Sequence, residues 1–163
     1  MIFFAVALTL LMLAVVYFDI TQFIIPNTIS IVLIALWVVY VITAPHDVNW
    51  TMSLLVMIAF FIFGIGIFAL NIMGGGDVKL LTALSLWIGW QPYILIQFFT
   101  WTALAGGVLA LFKIVVKFSA KKLGKEQHLP HFLKVDNDIP YGLAIAYSFG
   151  FLLWSGTVIP LAN

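Results

Sequence analysis

The sequence predicts an all-α, polytopic membrane protein of about six transmembrane helices, and three observations predict it. First, 64% of the residues are hydrophobic and only 8% are charged, with a mean hydropathy of +1.20. A water-soluble domain carries about a quarter charged residues because its surface must face water; most of this surface must face lipid. Second, long apolar runs are separated by short polar, proline or glycine breaks. Third, five of the seven lysines, Lys117, Lys121, Lys122, Lys125 and Lys134, gather at or in one connection. A net charge of +1 gives no reason to expect a nucleic-acid partner. The absence of cysteine excludes disulfides and thiolate metal sites.

Each span is delimited by its own signals. The first is expected from Ile2 to Phe18; Met1-Ile2-Phe3-Phe4 has no basic region and no small-residue cleavage pattern follows, so the helix is expected to be retained. Pro26-Asn27-Thr28 closes one segment and supplies a cap for the next, Thr28 to Thr43. The polar turn Ala44-Pro45-His46-Asp47 leads to a third helix, Trp50 to Leu70. A shorter fourth runs from Val78 to Trp90, and Gln91-Pro92-Tyr93 opens the fifth, to Lys117, with aromatics suited to an interface. The sixth runs from Tyr141 to Ile159. A span needs about 20 apolar residues for a core of about 30 Å, so six of them nearly exhaust the chain, and residues 1–163 are expected to form one membrane-embedded domain. A fourth helix of about 13 residues covers only about 20 Å. It must cross a thinned region or follow a glycine-rich stretch that dips into the membrane.

The lysine-rich connection is expected on the cytoplasmic side by the positive-inside rule. Alternation then places Asp19 and Asp77 on that side, and His46, Asp47 and both termini outside, in the cytoplasmic (inner) membrane of the cell.

Of the six acidic residues, Asp47, Glu126, Asp136 and Asp138 fall in polar loops, where a solvated charge needs no special role. Asp19 and Asp77 lie beside helix ends among apolar or glycine residues. A single boundary aspartate is ordinarily an interfacial charge, and Asp77 can serve its helix dipole. Two boundary carboxylates on one side can meet in a bundle. A carboxyl pair is what aspartic proteolysis uses: one ionised group activates water, and its protonated neighbour polarises the scissile carbonyl. Around Asp77 the chain reads Gly74-Gly75-Gly76-Asp77-Val78-Lys79-Leu80. Glycine lets the backbone approach a neighbour closely, whereas a phosphate loop would need a preceding strand and a Lys-Ser/Thr ending.

Gly74-x-Gly76-Asp77 resembles the GxGD signature of intramembrane aspartic proteases. Asp19-Ile20 with Ile25-Pro26-Asn27 is similar to the first-aspartate region of type IV prepilin peptidases, and Gly76-Asp77-Val78-Lys79-Leu80 to their second. Ile139-Pro140-Tyr141-Gly142-Leu143-Ala144-Ile145-Ala146 resembles the opening of their last helix. The compact length looks like the short peptidases of tight-adherence (Flp-type) pilus systems, or like archaeal preflagellin relatives. The resemblance implies a cytoplasm-facing aspartic endopeptidase that cleaves the leader from prepilin or pseudopilin substrates with a basic leader and an apolar N-terminal helix. Asp19 and Asp77 would be the catalytic pair. Gly74, Gly76, Lys79, Pro26, Asn27, Pro140, Tyr141 and Gly142 would be supporting residues; Pro140 and Tyr141 also read simply as a helix start with an interfacial aromatic. No cofactor and no metal are implied, and without the cysteine-bearing cytoplasmic region of the longer enzymes N-methylation is not expected.

His128-Leu129-Pro130-His131 breaks helical ligand spacing and reads as a solvated loop. The lysines suit anionic lipid headgroups, and Glu126, Asp136 or Asp138 would suit a basic leader. Gly64-Ile65-Gly66 and Gly106-Gly107 suit close helix packing. A rival reading is a small proton- or cation-coupled transporter that uses the same two aspartates. A third is an inactive component of a secretion machine, which would tolerate Asp19→Asn and Asp77→Asn.

Overall fold

The computed structural model describes residues 1–43, 48–70, 73–122 and 141–159. They form six helices in chain order: α1 (Ile2–Gln22), α2 (Asn27–Thr43), α3 (Trp50–Ala69), α4 (Gly75–Ile88), α5 (Pro92–Lys122) and α6 (Tyr141–Trp154). No strand occurs among the described residues. A helix satisfies its backbone polar groups within itself, which is what a lipid medium demands. Three helices, α1, α3 and α5, are long and apolar enough to cross a bilayer, and α2 and α6 are shorter apolar helices. The chain is an all-α membrane protein.

The predicted helices all form, but several ends differ. α1 runs one turn past Phe18, so Asp19 lies inside its last turn. It stops at Phe23, a left-handed residue with φ 53°, whose N–H donates to the Asp19 carbonyl. A left-handed C-cap is usually glycine or asparagine, so no residue type marked this stop. α4 begins at Gly75, so two of the glycines are helical and Asp77 sits in the first turn. α5 continues to Lys122, and α6 ends at Trp154, before a turn in which Gly156 takes φ 75°.

The short α4 is the centre of the bundle. Its residues from Thr82 to Ile88 are all buried, and it packs against α3, α2 and α6. A helix that is apolar all round belongs in a core, and here the neighbouring helices, not lipid, cover it. That resolves the length problem: fourteen residues cover only about 21 Å, and a helix clad in protein need not match the hydrocarbon thickness.

At one end of the bundle Phe4, Tyr40 and Trp87 form an aromatic cluster, with Phe4–Tyr40 and Tyr40–Trp87 ring centroids both 5.3 Å apart. The Trp87 indole N–H donates to the Leu33 carbonyl at 3.2 Å, which ties α4 to α2. The two glycine pairs divide in use. Gly64 meets α4 directly, since a Cβ there would sit 2.5 Å from Val78 Cγ1, whereas Gly66 faces open space. Gly106 faces Tyr141 and Ala144 of α6, whereas Gly107 has no neighbour within 4 Å.

Gly64→Ala should therefore lower the thermal stability of the purified protein in detergent, since overpacking costs about 1–3 kcal/mol. On the same helix Gly66→Ala should leave stability unchanged or raise it by about 0.5–1 kcal/mol through helix propensity. Equal melting of the two variants would contradict the α3–α4 contact.

Candidate active site

Asp19 stands near the C-terminus of α1, where the helix dipole disfavours a negative charge, and it is only 5% exposed. What holds it there is another helix. Its Oδ2 accepts the Leu143 backbone N–H at 2.9 Å, and the Gly142 N–H faces the same carboxylate. Both belong to the first turn of α6, whose leading N–H groups have no partner within their own helix. Asp19 thus caps α6 from a position more than a hundred residues away in the chain.

Asp77 is set by the same chemistry in a local form. It occupies the third helical position of α4, after the N-cap Gly74, and the Gly74 backbone N–H faces its carboxylate. That is one half of a capping box. Asp77 is half-buried and close enough to Asp19 for the two charges to interact. The N-terminal ends of α4 and α6, which pack together, therefore converge on two acidic side chains. The positive ends of the helix dipoles favour charge at this point.

Ile25 packs between the first turns of α4 and α6. After the left-handed turn at Phe23 the chain crosses from α1 to α2, and Pro26 keeps Ile25 out of helical geometry. The buried Ile25 lies between two glycines. A Cβ on Gly76 would sit 3.3 Å from Ile25 Cβ and 3.4 Å from its backbone nitrogen. A Cβ on Gly142 would sit 2.8 Å from Ile25 Cδ1 and 2.8 Å from Asp19 Oδ2. Gly142 has no side chain because the carboxylate and the isoleucine occupy its place.

The other sequence-predicted residues gather round this core. The Lys79 ammonium donates to Asn27 Oδ1 at 2.9 Å and ties α4 to the start of α2. The Pro26 carbonyl accepts the Ile29 N–H at 3.1 Å in the first turn of α2. Tyr141 opens α6 with its ring against Gly106 of α5. Gly74 places its missing side chain 3.1 Å from Asp77 Oδ2. Pro140 lies outside the described residues, as do His46, Asp47, Lys125, Glu126, His128, His131, Lys134, Asp136 and Asp138. Sequence reasoning quoted Ile25 and Leu143 within the resembling motifs but gave neither a part in the site. Leu143 acts through its backbone, which leaves no side-chain signature. No group of three or more His, Cys, Asp or Glu able to hold a metal occurs among the described residues.

A membrane bundle with two acidic side chains held at converging helix ends is the frame in which the comparisons with known proteins fall. The chain belongs to the type IV leader peptidase family, whose model matches residues 6–111 and so includes both aspartates. By family the protein is a peptidase. α6 lies beyond the matched segment, although it supplies the backbone donors for Asp19. No curated protein and no solved structure matches the chain.

Gly142→Ala should displace both the Asp19 carboxylate and Ile25 and cost about 1–3 kcal/mol of stability. Gly76→Ala, with clearances of 3.3 and 3.4 Å, should cost less. Thermal melts of the two variants beside wild type check the order, and an unperturbed Gly142→Ala protein would contradict the packing of α6 on Asp19.

Proposed function

We propose that this protein is an aspartic endopeptidase that cleaves the leader peptide of prepilin-like proteins at the cytoplasmic membrane face, with Asp19 and Asp77 as its catalytic pair. The observation that carries the reading is that α1 and α4 bring two acidic side chains to one end of the bundle, near enough for their charges to interact. Two carboxylates at close quarters in a poorly solvating site do not both ionise, so the pair holds one proton between them. The ionised member takes a proton from water as the water oxygen attacks the scissile carbonyl carbon. The protonated member gives its proton to the carbonyl oxygen. As the tetrahedral species collapses, the C–N bond breaks and the amine leaves with the proton first taken from water. The second carboxyl regains its proton from the hydroxyl, which returns the pair to its starting state.

Two features support the cytoplasmic side. The site lies where α1 ends and where α4 and α6 begin. α5 runs toward the same end, because Gly106 already lies beside Tyr141 and the helix continues to Lys122. Lys117 and Lys122 are on that extension, and cationic residues flanking spans favour the cytoplasm. Both aspartates at one end also suit surface hydrolysis better than a transport path, which needs polar groups distributed through the membrane. The substrates that fit are prepilins or pseudopilins, with a basic leader in the cytoplasm and an apolar helix in the bilayer.

Asp19→Asn and Asp77→Asn should each reduce leader cleavage by about a thousandfold, within the range expected for removal of an acid–base group. The measurement is processing of a co-expressed prepilin-type substrate at matched membrane levels, in a host without its own leader peptidase. Asn at position 19 can still accept the Leu143 N–H, so Asp19→Asn should melt near wild type. Asp19→Ala should lose about 1–3 kcal/mol by leaving that donor unpaired. Normal cleavage by either asparagine variant would rule out the carboxyl-pair mechanism.

A further inference from the structure

A cavity of about 730 Å³ lies along the outer side of the bundle between α1, α5 and α6. Its lining is apolar almost throughout. α6 packs with both α1 and α5, which flank it as walls and leave its face between them as a floor. Ala146 and Gly150 belong to the floor, and a Cβ on Gly150 would meet nothing within 4 Å. Val16 on α1 and Leu104 and Val108 on α5 belong to the walls.

One end of this groove adjoins the candidate active site through Leu143, although neither aspartate lines it. Leu143 lines the cavity and also donates its backbone N–H to Asp19, and Val16 stands one turn before Asp19 on α1. At the other end the Trp101 and Phe151 rings close to 4.9 Å, and the Trp154 indole donates to Thr9 Oγ1 at 3.0 Å. From Leu143 to Phe151 the floor is about 12 Å long at about 1.5 Å per residue, the length of roughly two helical turns.

Resting on the peptidase reading above, we propose that this groove is the docking site for the apolar helix of the polypeptide substrate, and that it holds the first two turns after the cleaved bond. The continuity through Leu143 selects this occupant. A chain whose scissile bond lies at Asp19 and whose next segment is an apolar helix meets the groove directly beyond the carboxylates. The small floor residues let a helix backbone approach α6 closely, which is how helices associate in lipid. A lipid acyl chain would share the apolar chemistry but would have no reason to begin at the carboxylate pair.

The test uses the full-length protein in membranes with a prepilin-type substrate. Gly150→Leu puts bulk on the floor at a position where a Cβ meets nothing within 4 Å, and should lower kcat/KM for cleavage by about tenfold to a hundredfold, as misplacement of a substrate does. Gly150→Ala should fold and cleave near wild type. Gly107→Leu, at an exposed position on α5 that does not line the cavity and also has open space around it, controls for bulk added elsewhere. Because the chain has no cysteine, Gly150→Cys gives a single thiol, which should form a disulfide with a substrate cysteine placed within two turns after the scissile bond but not with one four turns away. Failure of wild type to cleave would overturn the peptidase reading and this inference with it. Wild-type cleavage with undiminished cleavage by Gly150→Leu and no position-dependent cross-link would overturn the groove alone, as expected if a lipid chain fills it.

Discussion

The bond from the Leu143 backbone N–H to the Asp19 carboxylate is the interaction on which the rest of the site depends. Burying a carboxylate in a membrane protein is expensive unless hydrogen-bond donors replace water. The unpaired N–H groups at the start of a helix are such donors. α6 supplies them only if it begins beside the end of α1, and that fixes how the two helices pack. It also leaves no room for a side chain at position 142, where the carboxylate and Ile25 already lie within 2.8 Å of a would-be Cβ. A residue of the proposed chemistry is thus also a cap for a helix distant in sequence.

The remainder of the bundle keeps that junction in place. α4 is clad by α2, α3 and α6, and its opposite end is fixed by the Phe4, Tyr40 and Trp87 cluster. Gly64 allows α3 to close on Val78 one residue after Asp77. The hydrogen bond between Lys79 and Asn27 ties the same turn of α4 to α2. Asp77 therefore sits on a helix held from several sides, which on the proposed reading keeps a reactive group within the narrow tolerance that chemistry requires. The two carboxylates differ in access: Asp19 is buried, whereas Asp77 is only half-buried and follows the exposed Gly74. On the proposed reading, water and an extended substrate chain approach from the Gly74 side.

Much of this was legible in the sequence because lipid leaves few choices. Apolar runs of span length become helices, and aspartates at their ends are rare enough to stand out. The apolar run from Val78 put Asp77 at the head of the fourth helix, where the structure has it. Helix ends were less legible. α1 passes Phe18 because a left-handed phenylalanine, not a glycine, stops it. Gly75 and Gly76 are helical; a Cβ on Gly76 would crowd Ile25 at 3.3 Å, whereas one on Gly75 would make ordinary contact with Phe68 at 3.4 Å. The partnership of Asp19 with α6 could not be read from residue types, since the donors are backbone groups. The glycine pairs looked alike, yet only Gly64 and Gly106 face another helix within 4 Å, because neighbouring positions on a helix point about 100° apart for each residue.

The arrangement also bears on which peptide bond such a site can reach. A bond inside a helix is shielded by its own hydrogen bonds and side chains, so proteolysis needs a segment that leaves helical geometry. On the proposed reading the substrate's apolar helix ends where the groove ends, at Leu143, and the chain beyond it must extend to pass between Asp19 and Asp77. Gly74, whose backbone is exposed, offers an approach without side-chain obstruction from the α4 side. Cleavage at a junction between a polar leader and an apolar helix then follows from geometry: the helix is registered by the groove, and the leader is the part left outside it.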